Sequence, residues 1–224
     1  MDRSALAVPA PEAAASLLGT RLVREDGTGR RVGRIVEVEA YAGPDDLASH
    51  ARSGPTPRNR VMFGPAGHAY VYLVYGMYDC LNVVTGTSGE ASAVLIRAVE
   101  PLVGMDRMRV DRLVVEQRRT RVRAPGGETA ARARLASVPF FRLASGPGLV
   151  GAAFGLDTSW SEMDLCDPSS PLRLERDPSD QVPPTRIRAT PRIGVAYAGP
   201  DWSARAWRFL ISGHPSVSGP AAGR

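Results

Sequence analysis

Glu39 and Tyr41 stand two residues apart in RIVEVEAYAGPDD, a carboxylate and a phenol on what reads as one strand. His50, one of three histidines in the chain, follows shortly after. Further on, Tyr70, Tyr72, Tyr75 and Tyr78 crowd nine positions of a protein that holds six tyrosines in all. The last member of the set is Arg97, a guanidinium set among Val94, Leu95, Ile96, Ala98 and Val99. Together these side chains suit one task, gripping a flat ring between aromatic faces while an ionised glutamate directs water. A nucleobase drawn out of a duplex and cut from its sugar has that shape.

The elements that must carry them can be read from periodicity. Alternation from Ile35 to Tyr41 puts Val36, Val38 and Ala40 on one strand face and Glu37, Glu39 and Tyr41 on the other. Glu37 is expected to be an ordinary solvated strand residue. Gly43-Pro44 ends the strand, and Asp45 to Ser49 reads as a capped helical turn delivering His50. A lone histidine is more often structural than chemical, so its type alone assigns it no role. Residues 69–85, AYVYLVYGMYDCLNVVT, read as a hairpin turning at Gly76-Met77. A period of two gives Tyr70 and Tyr72 one face and Tyr75 the other, beside the turn. One ring then lines a pocket while another is presented at an exposed tip; the competing reading packs all four tyrosines as hairpin core. ASAVLIRAVEP reads as a buried strand in which Arg97 requires a carboxylate partner, since an uncompensated buried charge costs several kcal/mol. Glu39 and Glu100 are the candidates, and Glu39 is the expected one. Arg58, Asn59 and Arg60, in a loop broken by Pro55, Pro57, Gly64, Pro65 and Gly67, form a small polar and basic cluster. It either reaches phosphate oxygens or is plain solvated charge.

The flanking sequence predicts a short helix from Ala10 to Leu18, ended by Gly19, and a hairpin from Leu22 turning at EDGTGR. Met105 to Arg142 is dense in arginine and reads as an exposed helix with a flexible connection, an insertion in a single domain covering 1–224. In LASGPGLVGAAFGLD a Gly-Pro turn feeds a helix N-terminus of the kind that holds phosphate. PLRLER and TRIRATPRIGV read as strands, Trp202 and Trp207 as packing residues, and His214 to Arg224 as a frayed tail.

A 43% hydrophobic, 23% charged composition is that of a globular domain. The formal charge of +5 admits a polyanionic partner. All 28 basic side chains are arginine, so no lysine amine exists to form a Schiff base with a sugar aldehyde. Two distant cysteines without a Cys/His cluster argue against a zinc site and a disulfide scaffold, and suit a reducing compartment. No run reaches membrane-spanning length, and the start lacks the pattern of a signal peptide. The chain is therefore expected to be cytoplasmic. GxxxxGK, GxGxxG, HExxH and GxSxG are all missing in the contexts that give them meaning, and neither a metal nor a cofactor is expected.

Three blocks carry a closer likeness: RIVEVEAYAGPDDLASH, TPRNRVMFGPAGHAYVYLVYGMYDCLNVV and AVLIRAVEP. In this order and spacing they resemble the alkyladenine (3-methyladenine) DNA glycosylase family, the type unrelated to the helix-hairpin-helix glycosylases. LASGPGLVGAAFGL, RIGVAYAG and WRFLISG match it more weakly. The resemblance implies a single-domain α+β fold with a curved mixed or antiparallel sheet and a protruding hairpin that enters the DNA minor groove. It implies that Glu39 is the general base that orients the attacking water and that Arg97 helps hold that water. Tyr41, His50 and Tyr72 match the walls of the base pocket, and Asn82 the residue that obstructs the amino group of normal guanine. Tyr75 matches the wedge that fills the gap left by the flipped nucleotide, with Met77, Arg58 and Arg60 expected to contact DNA beside it. The partner implied is double-stranded DNA bearing damaged purines, such as 3-methyladenine, 7-methylguanine, hypoxanthine or etheno-adenine, engaged by a monomer. The chain departs from the pattern at Asp79 and Leu81, and an acid near the hairpin tip would face phosphates unfavourably. A non-catalytic nucleic-acid-binding module of the same fold, or an N-glycosidase of RNA or nucleosides, are the alternatives. Base release from methylated DNA separates them.

Overall fold

The computed structural model describes residues 1–118 and 126–219. Its α+β fold is organised on β2 (Gly29–Tyr41), the strand that bears Glu39. The preceding β1 (Arg21–Asp26) pairs with it in register Val23↔Val32, turning at Gly27-Thr28 as the EDGTGR stretch predicts. On the other edge lies β5 (Ser92–Val103), which aligns Leu95 with Glu39 and Ile96 with Val38. β3 (Ala69–Val74) and β4 (Tyr78–Thr85) form the tyrosine hairpin, joined to the sheet through β4 and β5. β6 (Leu172–Glu175) adds to β1, while β7 (Ile187–Thr190) reaches the sheet through β8 (Arg208–Ile211). Among the described residues these eight strands make one sheet, and every pairing in it is antiparallel.

The sheet curls because β2 is irregular where it matters. Its pairing with β5 shifts between Ile35 and Glu37 and again at Val38, the mark of a bulge, which bends a strand and increases its twist. Past the bend, β8 takes the edge that β1 has left, aligning Leu210 with Glu37 and Arg208 with Glu39. Both faces of β2 are thereby covered. Val36, Val38 and Ala40 enter the main core, and Glu37 and Glu39 are equally closed to solvent. The solvated face expected for Glu37 does not exist, because the chain beyond β8 lies over it: Ser218 is buried and its backbone N–H donates to Glu37 Oε2 at 2.5 Å. The same contact overturns the frayed tail for residues 214–219, where Ser216 is also buried; residues 220–224 lie outside the described ones.

Helices pack on the core face. α1 (Ala10–Leu17) has Pro11 in its first turn, where a missing N–H costs nothing, and buries Ala10, Ala13, Ala14 and Leu17. α2 (Met105–Arg118) sends Met108 into the main core and is tied to the sheet by the buried Arg31–Asp111 pair at 2.6 Å. α3 (Gly127–Ser137) packs Ala131 and Leu135 against Leu113. The arginine-dense stretch thus contains a docked helix, and of the expected flexible connection residues 119–125 fall outside the described ones. α4 (Pro147–Ala153) lies on β4, and Gly151 is required there because a Cβ would meet the Asp79 carbonyl oxygen at 1.9 Å. Asp79 is accordingly buried under α4 and does not face outward as a charge at the hairpin tip. α5 (Gly199–Ala204) completes the helices among the described residues, none of which is long and apolar enough to cross a membrane.

Candidate active site

Glu39 is fully buried at the carboxyl end of β2, and three donors address it. Tyr41 OH donates to Oε2 at 2.9 Å, Arg97 Nη1 to the same oxygen at 3.2 Å, and the Ile193 backbone N–H to Oε1 at 2.7 Å. A carboxylate offers roughly four acceptor positions, so one remains, on Oε1. Burial pushes the Tyr41 phenol well above its ordinary value, with the Glu39 charge adding to this, so Tyr41 is a neutral donor. Arg97 lies opposite on β5, only 7% exposed. Burial alone would lower its pKa, but the Glu39 and Glu37 carboxylates outweigh that and hold it above the usual arginine value. The expected pairing of Arg97 with Glu39 is present, while Glu100 is engaged by Arg34 at 2.6 Å.

Arg97 has a second carboxylate that periodicity gave no reason to favour. Its Nε donates to Glu37 Oε1 at 3.0 Å, and Arg208 Nε donates to the same oxygen at 2.7 Å. Arg208, Glu37, Arg97 and Glu39 therefore form a buried chain of alternating sign. Such a chain leaves no charge uncompensated, the condition for keeping ions out of water.

Beside Glu39, and joined to it through the Tyr41 hydroxyl, lies a slot of about 50 Å³ lined by Tyr41, Ala48, His50, Met62, Tyr70, Tyr72, Asn82, Ala93 and Tyr197. That is well below the about 300 Å³ of a preformed small-molecule site, so the rings must part to admit a ligand. The β3 pleat sets Tyr70 and Tyr72 side by side, rings 5.4 Å apart, and Tyr72 meets His50 edge to face at 4.4 Å. His50 Nδ1 and Tyr70 OH share a hydrogen bond of 2.9 Å. One side of the imidazole is thus shut off from water although the residue as a whole is exposed. That burial, helped by Arg58 and Arg52, lowers its pKa from 6.5 to about 4, so the ring is neutral near pH 7. Tyr70 is pushed up to about 12 by burial. Asn82 is 4% exposed and donates through Nδ2 to the Tyr70 carbonyl at 3.0 Å, which fixes its amide at the slot wall.

Two further polar side chains hold the walls. Asp46, fully buried, accepts from the Ala42 and Ala48 N–H groups and so folds the loop that leads to His50. It also forms a two-pronged pair with Arg192, whose guanidinium lies 4.8 Å from the Tyr41 ring centroid and 5.1 Å from that of Trp207. The helical turn expected over residues 45–49 is not there; it begins at His50, five residues after Asp45, with the Ser49 hydroxyl as its cap. Asn59 belongs to this support: it is 2% exposed and donates to the His50 and Gly54 carbonyls, so it is not a phosphate contact.

The remaining predicted residues lie outside the slot. Tyr75 and Gly76, with φ of 51° and 65°, make the tight turn, and the Met77 N–H closes it on the Val74 carbonyl at 3.0 Å. This turn holds Tyr75 89% exposed, beside Met77 at 37%. Arg58 lies over the outer side of Tyr72, 5.3 Å from the ring centroid, and Arg60 meets Glu162 at 3.1 Å in a solvent-exposed pair. An exposed pair of this kind is worth at most about 1 kcal/mol, so it is readily exchanged for another anion. Cys80 and Cys166 are free thiols.

Residues 4–215 match the profile of the family described as Methylpurine-DNA glycosylase (MPG). Proteins bearing the curated name "Putative 3-methyladenine DNA glycosylase" are similar over nearly the same span. The one from Myxococcus xanthus is 43% identical across the whole of this chain and 96% of its own length. Those from Nitrosococcus oceani and Methanocella arvoryzae are each 43% identical, across 92% and 96% of this chain and 87% and 94% of theirs. With a profile match and relatives of this similarity both spanning nearly the full chain, the protein belongs to the methylpurine-DNA glycosylase family.

Proposed function

We propose that the protein is a monofunctional DNA glycosylase that flips damaged purines out of duplex DNA and hydrolyses the bond between base and sugar. The observation that carries this reading is a buried, threefold hydrogen-bonded Glu39 joined through Tyr41 to an aromatic slot whose adjoining hairpin presents an exposed tyrosine. Tyr75 fills the gap in the stack while the damaged base enters between Tyr41, Tyr72 and His50. Alkylation at N3 or N7 makes the purine cationic, which strengthens its attraction to electron-rich ring faces and weakens its bond to the sugar. A neutral His50 adds no charge to repel it. Glu39 is closed to bulk solvent, so the attacking water is one admitted with the nucleotide, held by the spare Oε1 acceptor and aimed at C1′. As the bond breaks, cationic charge grows on the sugar and the fixed carboxylate stabilises it. Asn82 rejects guanine by crowding its exocyclic amine. With no lysine in the chain, no side-chain amine attacks the sugar. The product is an intact strand with an abasic site.

The test is incubation of the purified protein with methylated duplex DNA. Free methylated purine should be released, with breaks appearing only after alkali. Absence of release from every alkylated or deaminated purine, or strand cleavage without alkali, would overturn the proposal.

A further inference from the structure

We infer that Glu37, with Arg208 and Ser218 behind it, is a positioning residue that keeps Arg97 from closing on both oxygens of Glu39. This inference rests on the function proposed above. An arginine beside a lone carboxylate prefers the two-pronged arrangement, with parallel N–H groups on both oxygens. Arg97 does not adopt it. Each of its three nitrogens is directed to a different partner: Nε to Glu37 Oε1 at 3.0 Å, Nη1 to Glu39 Oε2 at 3.2 Å, and Nη2 to the Ser218 hydroxyl at 3.4 Å. Glu37 holds Nε, and the Ser218 hydroxyl that Glu37 fixes takes Nη2, the nitrogen that would supply the second prong beside Nη1, which leaves a single prong for Glu39. The consequence is the open acceptor on Oε1 that a nucleophilic water needs; a two-pronged Arg97 would fill it.

Glu37 can do this because it is itself immobilised. Oε1 accepts from Arg208 Nε at 2.7 Å and from the Ser218 hydroxyl at 3.0 Å, and Oε2 accepts from the Ser218 N–H. Arg208 is anchored in turn by Thr190 Oγ1 at 3.3 Å and the Ser218 carbonyl at 2.9 Å. The bulge in β2 aims Glu37 into this network, and the segment after β8 seals it. The C-terminal stretch through Ser218 is therefore a working part of the site.

Three proteins decide the matter: Glu37→Gln, Arg97→Met and the double variant, assayed for single-turnover base release and for affinity toward a lesion duplex. Glu37→Gln keeps the shape and weakens the hold on Nε. Lesion affinity should stay within about twofold while release slows about 10²-fold, the scale of a small misplacement at a reacting centre. In the Arg97→Met background the same change should cost less than about threefold, since the group it restrains is gone. An equal loss in both backgrounds marks a merely structural residue and overturns the inference, as does full activity of Glu37→Gln. If Glu37→Gln does not fold, Ser218→Ala carries the test by removing one hydroxyl: release slowed severalfold at unchanged affinity supports the inference, and unchanged release overturns it. Glu39→Gln, measured in parallel, separates the two levels. If it remains active, the parent reading has failed; if it is inactive while Glu37→Gln is fully active, only this inference has.

Discussion

Replacing Glu39 with Gln preserves size and removes the negative charge, and the structure fixes what should follow. Three donors converge on the carboxylate: Tyr41 OH and Arg97 Nη1 on one oxygen, the Ile193 N–H on the other. A carboxamide has a single oxygen. If that oxygen faces Tyr41 and Arg97, its NH2 meets the Ile193 N–H, donor against donor in a fully buried place. If the amide turns over, the mismatch moves to Tyr41 and Arg97, which is worse. The better orientation leaves one unsatisfied buried contact, a destabilisation of about 1–3 kcal/mol. For a chain of this length that corresponds to a fall in Tm of about 2–12 °C. Arg97 must then share Glu37 with Arg208, two buried guanidinium groups on one carboxylate, so an uncompensated positive charge adds to this cost.

The chemical loss is separate. Without a base to orient water, release should fall at least about 10²-fold, equivalent to about 2.7 kcal/mol in the barrier. The variant should be assayed by single turnover at a temperature where both proteins are shown to be folded, with enzyme in excess over a duplex carrying one methylated purine. Lesion affinity, measured separately, should stay within about threefold, because the slot walls and hairpin tip are untouched. Release within about threefold of the parent protein would refute Glu39 as the base whatever the stability change. A variant that melts lower and also loses lesion affinity in proportion would show that Glu39 acts as scaffold.

Arg192→Met breaks the buried pair with Asp46 and leaves an uncompensated carboxylate; we expect a loss of about 3–5 kcal/mol in chemical denaturation, and a loss under 1 kcal/mol would show that the pair is not what holds the loop. Tyr75→Ala alters a side chain that is 89% exposed and should leave Tm within about 1 °C while narrowing the gap in affinity between damaged and intact duplex. Equal discrimination in parent and variant counts against the wedge. The His50 imidazole, followed by NMR, should titrate near pH 4; a midpoint near 6.5 would mean the ring is not enclosed by its tyrosine neighbours. Because the unfolded chain takes up this proton at higher pH than the folded one, His50 lowers stability progressively as pH falls from 6.5 towards 4 and contributes no pH dependence above that window.

What was legible beforehand follows a physical division. Turn chemistry and alternation are local, so the turn in EDGTGR, the tyrosine hairpin and the burial of β5 could be read from neighbouring residues, although the hairpin turns at Tyr75-Gly76, one residue before the expected Gly76-Met77. Arg97 was readable for the opposite reason: a charge inside an apolar strand is so costly that it demands a partner, and a strand with acids near its end supplied one. Glu37 was misread because strand period assumes one dry and one wet face, and that assumption fails where a bulge and a distant segment close the second face. Nothing near residue 37 announces Ser218, 181 positions away in sequence. The same distance hid Asp46 and Arg192, whose pairing spans 146 positions. One clue was present, however. Arg208 stands in WRFLISG as Arg97 does in AVLIRAVEP, a guanidinium in an apolar strand, and the argument that sought an acid for Arg97 applies equally to Arg208. Two buried guanidinium groups require two carboxylates. Glu39 alone cannot satisfy both and still keep an acceptor open for water, so the second arginine was the signal that Glu37 belongs inside.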